Sequence, residues 1–150
     1  MSERPESSAG VLSLKIPGQP QYIGIARLAV SGLVNRLESS FDDAEDFKLA
    51  VTEACSHILR KSSRKVDLLI DCHFTRQLLE IRVKSVASHT SAVVVPLAEG
   101  FQAGGDGELD LGVHLIGALM DSVKMETDSE SGLHSVQMTR HLAPGAVRDG

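Results

Sequence analysis

Residues 41–57 read FDDAEDFKLAVTEACSH, and this stretch decides which fold the rest of the chain must match. Its apolar residues recur every three or four positions, the spacing of one face of an α-helix. They are Phe47, Ala50, Val51, Ala54 and Cys55, continued by Ile58 and Leu59. Asp42 or Asp43 is the predicted N-cap, because a carboxylate there accepts hydrogen bonds from free backbone N–H groups. The pattern predicts an amphipathic helix in which Glu53 and His57, four residues apart, lie side by side.

The segments on either side of this helix carry strand-like and helix-like periodicities in turn. Val11–Ile16 alternates apolar and polar residues and predicts an edge strand that ends at Pro17. Pro20 begins a predicted first helix, because proline is tolerated in a first helical turn. The remaining predicted elements are a hairpin of strands 66–74 and 78–84, an irregular loop over 86–108, a third helix over 111–120 and a closing hairpin of strands 123–125 and 134–139.

This order of elements predicts an α/β fold of the α+β type. The expected architecture is a two-layer sandwich, in which helices cover one face of a mixed, mainly antiparallel sheet. Residues 11–143 form the one predicted domain. Residues 1–10 and 144–150 are predicted to be flexible tails, because they are rich in Ser, Gly, Pro and charge.

Composition narrows the classes of function. The net charge of -5 and an aromatic content of 3% disfavour a nucleic-acid binder, which needs a basic surface and stacking side chains. A partner bound electrostatically should therefore present basic groups. No apolar run approaches the length of a membrane span or the core of a signal peptide, so we expect a cytoplasmic protein. Cys55 and Cys72 lack metal-ligand spacing and are predicted to be reduced and buried.

Four stretches resemble the sequence motifs of a known family. They are 16–28 (IPGQPQYIGIARL), 42–57 (DDAEDFKLAVTEACSH), 111–123 (LGVHLIGALMDSV) and 131–142 (SGLHSVQMTRHL). In this order and spacing they resemble the RsbW-like anti-sigma factors, small serine kinases of the GHKL, or histidine kinase-like, ATPase superfamily. The resemblance implies the GHKL fold, ATP and Mg²⁺ as cofactors, and a sigma factor or an STAS-domain antagonist as partner.

The resemblance also implies roles for individual residues. Glu53 matches the glutamate that activates the attacking hydroxyl, and His57 stands where the family has the asparagine that holds magnesium. Arg27 matches an arginine that contacts the partner protein or the phosphorylatable serine of the antagonist. The adenine box D-x-G corresponds to Ser85 and Ala87. In the glycine-rich phosphate box, Asp110 and Gly112 stand at the matching positions, with Gly105 and Gly107 as alternative phosphate contacts.

Three departures from the family pattern affect nucleotide binding. Ser85 cannot supply the carboxylate that accepts the adenine amino group. Asp110 replaces a glycine where phosphates approach a helix N-terminus, and imidazole is a poor magnesium ligand. We therefore expect a switch protein that binds its partner while ATP binding and kinase activity are weak or lost. The alternatives are an active serine-protein kinase, and a non-catalytic scaffold or dimerisation partner of an active paralogue. Glu53 and His57 lack a third ligand nearby, so no metal site is predicted.

Overall fold

Five strands form a single sheet in the order β1-β2-β3-β5-β4, and three helices pack against it. The computed structural model describes residues 9–37, 39–88 and 111–142. The strands are β1 (Gly10–Pro17), β2 (Val66–Phe74), β3 (Leu78–Ala87), β4 (Ser122–Thr127) and β5 (His134–His141). The helices are α1 (Ile23–Arg36), α2 (Phe41–Lys61) and α3 (Leu111–Leu119), and a 3-10 turn over Pro20–Tyr22 precedes α1.

The predicted α+β sandwich is confirmed. All four pairings between the described strands are antiparallel, so this part of the sheet is purely antiparallel rather than mixed. β1 is an edge strand, as predicted, and β4 is the other edge. β3 reaches Ala87, three residues past the predicted end, because it pairs with β2 along its whole length. Of the loop predicted over 86–108, residues 89–108 lie outside the described residues.

One face of the sheet and the inner faces of the helices form the core. Along each strand every second residue points to the helices, which is the alternation that the strand periodicity predicts. Leu68, Ile70, Leu79, Ile81 and Val83 are all at most 1% exposed. The predicted apolar stripe of α2 is confirmed, since Phe47, Ala50, Val51, Ala54, Cys55 and Ile58 are fully buried. The other face of the sheet is polar, with alternating charges such as Lys15, Asp71, Glu80 and Lys124.

The start of α2 differs from the prediction. The N-cap is Ser40, not Asp42 or Asp43. Its hydroxyl accepts a hydrogen bond from the Asp43 N–H at 3.1 Å, and the Asp43 carboxylate accepts one from the Ser40 N–H at 3.4 Å. This reciprocal capping box leaves Asp43 inside the first turn, 1% exposed.

Arg140 of β5 ties the ends of two helices together. Its guanidinium donates 2.7 Å hydrogen bonds to Asp43 and Asp46 at the start of α2, and a 3.1 Å bond to the Leu119 carbonyl at the end of α3. It also lies 5.8 Å from the centroid of the Phe47 ring. These contacts hold α3, which has few buried side chains of its own, against α2 and the sheet.

Candidate functional site

The site predicted from the sequence centres on α2, between α1 and α3. Glu53 and His57 occupy successive turns of this helix, and both side chains are half-buried. α2 also packs on β3, the strand that carries Ser85. The fold therefore brings together the helix and the strand on which the predicted nucleotide contacts lie.

Ser85 is buried and already hydrogen-bonded. The alternation of β3 turns it toward the helices, where it is 2% exposed. The ladder between β3 and β5 ends one residue earlier, at the pair Lys84 and Ser135. The Ser85 hydroxyl accepts a 2.9 Å hydrogen bond from the His134 N–H and donates a 3.4 Å bond to the His134 carbonyl. The side chain thus continues the strand pairing where the backbone stops.

His134 bridges β5 to the end of α2. Its Nε2 lies 3.2 Å from the Lys61 carbonyl oxygen, and its Nδ1 lies 2.9 Å from the Thr127 hydroxyl. Since a carbonyl can only accept, Nε2 carries the proton and Nδ1 accepts from Thr127 in the neutral ring. Burial lowers the pKa of His134 below 6.5, the nearby charges of His57 and Lys61 act in the same direction, and the Lys61 carbonyl opposes them. A neutral imidazole therefore joins α2 to β5 next to Ser85.

A polar cavity of about 750 Å³ opens at this end of the sheet. Ser85 and His134 line it from the core side, and Lys84, Asp128 and Ser131 contribute charged and hydroxyl groups. No residue of α2 lines the cavity within the described part of the chain. Glu53 and His57 therefore do not share it with Ser85.

The other predicted site residues lie in several places. Ala87 is the last residue of β3 and is exposed, and Gly112 is the second residue of α3. Arg27 lies on the exposed face of α1. Gly105, Gly107 and Asp110 lie outside the described residues.

Across 9–37, 39–88 and 111–142, no group of three His, Cys, Asp or Glu side chains is arranged to hold a metal ion. None of the helices in these ranges is long and apolar enough to cross a membrane.

Sequence comparisons agree with this geometry. A model of the histidine kinase-like ATPase domain matches residues 16–140, which covers the three helices, β2, β3, β4, all of β5 but its last residue and only the last two residues of β1. The chain belongs to the histidine kinase-like ATPase domain family. Within this family it is similar to the serine-protein kinase RsbW of Bacillus velezensis, with 31% identity over 96% of this chain and 93% of the relative. RsbW of Bacillus subtilis is 30% identical over 91% of this chain and 89% of the relative. RsbW of Listeria innocua is 30% identical over 92% of this chain and 91% of the relative.

The ATPase family implies ATP and Mg²⁺ for an active member, and Ser85 and His57 are two described positions that the sequence predicts as contacts for them. Ser85 offers a hydroxyl whose hydrogen bonds go to the backbone of β5. His57 offers a nitrogen ligand where magnesium prefers oxygen. Glu53 keeps the carboxylate of the family pattern.

His134 is the residue at this site that sequence reasoning missed. Its position in the closing strand indicated only an alternating β-pattern. Its contacts with Lys61 and Thr127 depend on how far β5 extends toward α2, which a sequence pattern does not specify. Ser40 could have been found, because Ser40 with Asp43 three residues later is a capping-box spacing.

Proposed function

We propose that this chain is a cytoplasmic, anti-sigma-type regulatory switch protein that binds a sigma factor or an STAS-domain antagonist, with weak or lost ATP binding and kinase activity. The hydrogen bonding of Ser85 carries this proposal. An adenine amino group needs an acceptor, and the hydroxyl at this position already accepts from the His134 N–H. A carboxylate would have about three further lone-pair sites and a negative charge to offer, whereas this uncharged hydroxyl has one lone pair left.

The exposed face of α1 supports the partner-binding part of the proposal. Arg27 is exposed there beside Leu28, which is 74% exposed, and Ile25, which is 48% exposed. Large apolar side chains next to an arginine are typical of interface centres, and the planar guanidinium can bind a carboxylate through two hydrogen bonds. This face would receive the sigma factor or the antagonist.

Calorimetric titration with ATP and Mg²⁺ tests the nucleotide part. The natural protein should show no binding at micromolar ligand, and the double variant His57→Asn/Ser85→Asp should bind better if the two substitutions are the cause. Thermal unfolding of the variant checks that it is folded. Micromolar binding by the natural protein would contradict the proposal.

The partner part needs its own measurement. Affinity for a sigma factor or an STAS protein should be the same with and without ATP. Arg27→Ala should weaken it, whereas Arg36→Ala, an exposed arginine at the end of the same helix, should have little effect. Equal losses from the two variants would remove Arg27 from the interface.

An active serine-protein kinase is the second candidate, because Glu53 is retained on α2 and the similar RsbW proteins are named kinases. In this case Glu53 would activate a serine hydroxyl of the antagonist. Phosphate transfer to an STAS protein that disappears in Glu53→Ala would establish it.

A dimerisation role is the third candidate, supported by the outer edge of β1, which pairs with no other strand among the described residues. This edge strand has eight residues and only one charge, Lys15, so its backbone N–H and C=O groups are open to pair with another chain. A homodimer or a complex with an active paralogue would use this edge. Sedimentation of the natural protein and of Leu14→Pro, which removes one N–H from the strand, would test it.

A further inference from the structure

A cluster of positive charge lies at the end of α2, although the chain as a whole has a net charge of -5. Residues 60–65 read RKSSRK, with four basic side chains and no acidic one. Lys61, Arg64 and Lys65 are exposed, and we call these three residues the basic corner. Neither the nucleotide positions nor the Arg27 face of the proposed function includes them.

Two hydrogen bonds hold the basic corner against the β4–β5 turn and β5, one through the Arg64 side chain and one through the Lys61 backbone carbonyl. Arg64 donates a 2.8 Å hydrogen bond to the Ser131 carbonyl, and the Lys61 carbonyl is bonded to His134. Both contacts join residues more than sixty positions apart in the chain. The three side chains therefore start from a defined surface, which lowers the entropy lost when a partner binds.

Capping of α2 does not account for these cations. The Ser62 N–H bonds to the carbonyls of Ile58 and Leu59, and the Ser62 hydroxyl donates a 2.7 Å bond to Ile58. His134 satisfies the Lys61 carbonyl. Uncharged donors thus serve these helix-end carbonyls, while the ammonium groups of Lys61 and Lys65 make no hydrogen bond or ion pair with another described residue.

The turn that Arg64 contacts carries two acidic residues, Asp128 and Glu130, and Asp67 lies two residues past Lys65. The Asp128 carboxylate accepts bonds from the Ser131 hydroxyl and the Glu130 N–H, so it is engaged within its own turn. Arg64 bonds to a carbonyl of this turn rather than to either carboxylate. Among the described residues, no ion pair joins these carboxylates to Lys61, Arg64 or Lys65, so the three cations keep their charges for a partner.

We propose that Lys61, Arg64 and Lys65 form a docking surface for an extended acidic segment of a partner protein. The positive charge of the corner selects an acidic partner. The net charge of the whole chain, -5, would instead have indicated a basic one. A nucleic acid fits less well, because the surrounding chain is acidic and aromatic side chains for base stacking are scarce. This inference does not depend on nucleotide binding or on Arg27.

Fluorescence anisotropy with a labelled, short peptide of alternating Glu and Ser tests the surface on the full chain. The natural protein should bind the peptide, and more weakly as salt is added. Lys61→Gln/Lys65→Gln keeps the Arg64 contact with Ser131 and should weaken binding roughly three- to tenfold. The matched control is Lys15→Gln/Lys124→Gln, which removes two exposed lysines from the outer face of the sheet and should bind like the natural protein.

Three results would overturn the proposal. They are no binding of the Glu-Ser peptide by the natural protein, equal binding by the natural protein and Lys61→Gln/Lys65→Gln, and tighter binding of a single-stranded oligonucleotide of equal charge through the same lysines. Loss of peptide binding confined to the corner variant supports it.

Discussion

Nη2 of Arg140 donates a 2.7 Å hydrogen bond to Oδ1 of Asp43, whose side chain is only 1% exposed. Nη1 of the same guanidinium bonds to Asp46, which is 32% exposed. The ion pair between Arg140 and Asp43 connects β5 to the capping box of α2. Because the Asp43 carboxylate has almost no access to water, the ion pair with Arg140 offsets part of the cost of burying it.

Arg140→Met should therefore destabilise the protein by about 3 kcal/mol, since it leaves the Asp43 carboxylate buried without its cation. Arg140→Lys should lose less, because it keeps the charge but not the two-pronged geometry. Urea unfolding measures both. Arg82→Met is the control: Arg82 is 43% exposed and lies 3.8 Å from Glu80, so its loss should cost below about 1 kcal/mol. A similar loss in the control would show that Arg140 is not special.

Replacing Gly18 or Gly32 by alanine should change the stability of the protein in opposite directions. A Cβ on Gly18 would lie 2.1 Å from the Val66 carbonyl oxygen, a backbone atom that cannot move aside, so Gly18→Ala should cost about 1–3 kcal/mol. A Cβ on Gly32, inside α1, would meet nothing within 4 Å, so Gly32→Ala should stabilise by about 1 kcal/mol through helix propensity. Thermal melts of the two variants decide, and a stabilising Gly18→Ala would contradict the close approach.

Ser85→Ala should destabilise the fold by about 1–3 kcal/mol, because it leaves the partly buried His134 N–H without its acceptor. Ser135→Ala, on the outer face of the sheet, is the matched control and should change the unfolding free energy little. Chemical denaturation measures both. If Ser85→Ala were neutral, the hydroxyl would not be needed for strand pairing, and the main support for a weakened adenine site would be lost.

The stability of the protein should depend on pH through His134. The pKa of His134 in the folded protein lies below 6.5, so the unfolded chain binds the proton first as the pH falls. The free energy of unfolding should therefore decrease below about pH 6.5 and level off once the pH is below the folded-state pKa. A pH series of urea unfolding experiments checks this. His134→Gln should make this decrease in the unfolding free energy smaller, whereas His73→Gln, an exposed control, should leave the decrease unchanged. An unchanged pH profile in His134→Gln would show that this histidine is not its cause.

The two cysteines should be unreactive in the folded protein. Both are free and at most 1% exposed, and burial raises the pKa of each thiol to about 12. A thiol reagent such as DTNB needs the thiolate, so it should label Cys55 and Cys72 only after denaturant is added. Labelling of the native protein on mixing would show that the core opens near α2 or β2.

The order of elements and the composition of the core were predictable from local pattern. The apolar stripe of α2 and the alternation in β2 and β3 each repeat with the period of their own secondary structure, so they can be read without knowing the partners. The boundaries were less accurate. β3 continues to Ala87 because this residue pairs with Val66 of β2. α2 begins after Ser40 because Ser40 and Asp43 form a capping box, whereas the prediction chose the acidic residues 42 and 43 as N-cap.

The sequence by itself determined the family, the layer arrangement and the chemical types at the nucleotide positions, because these depend on residue identity and spacing. Only the tertiary structure decided what those side chains do. The Ser85 hydroxyl bonds to the backbone of His134. Arg140 forms an ion pair with Asp43, which lies 97 positions earlier in the chain. Such contacts depend on strand register and helix packing, which arise from the whole core at once rather than from any one segment.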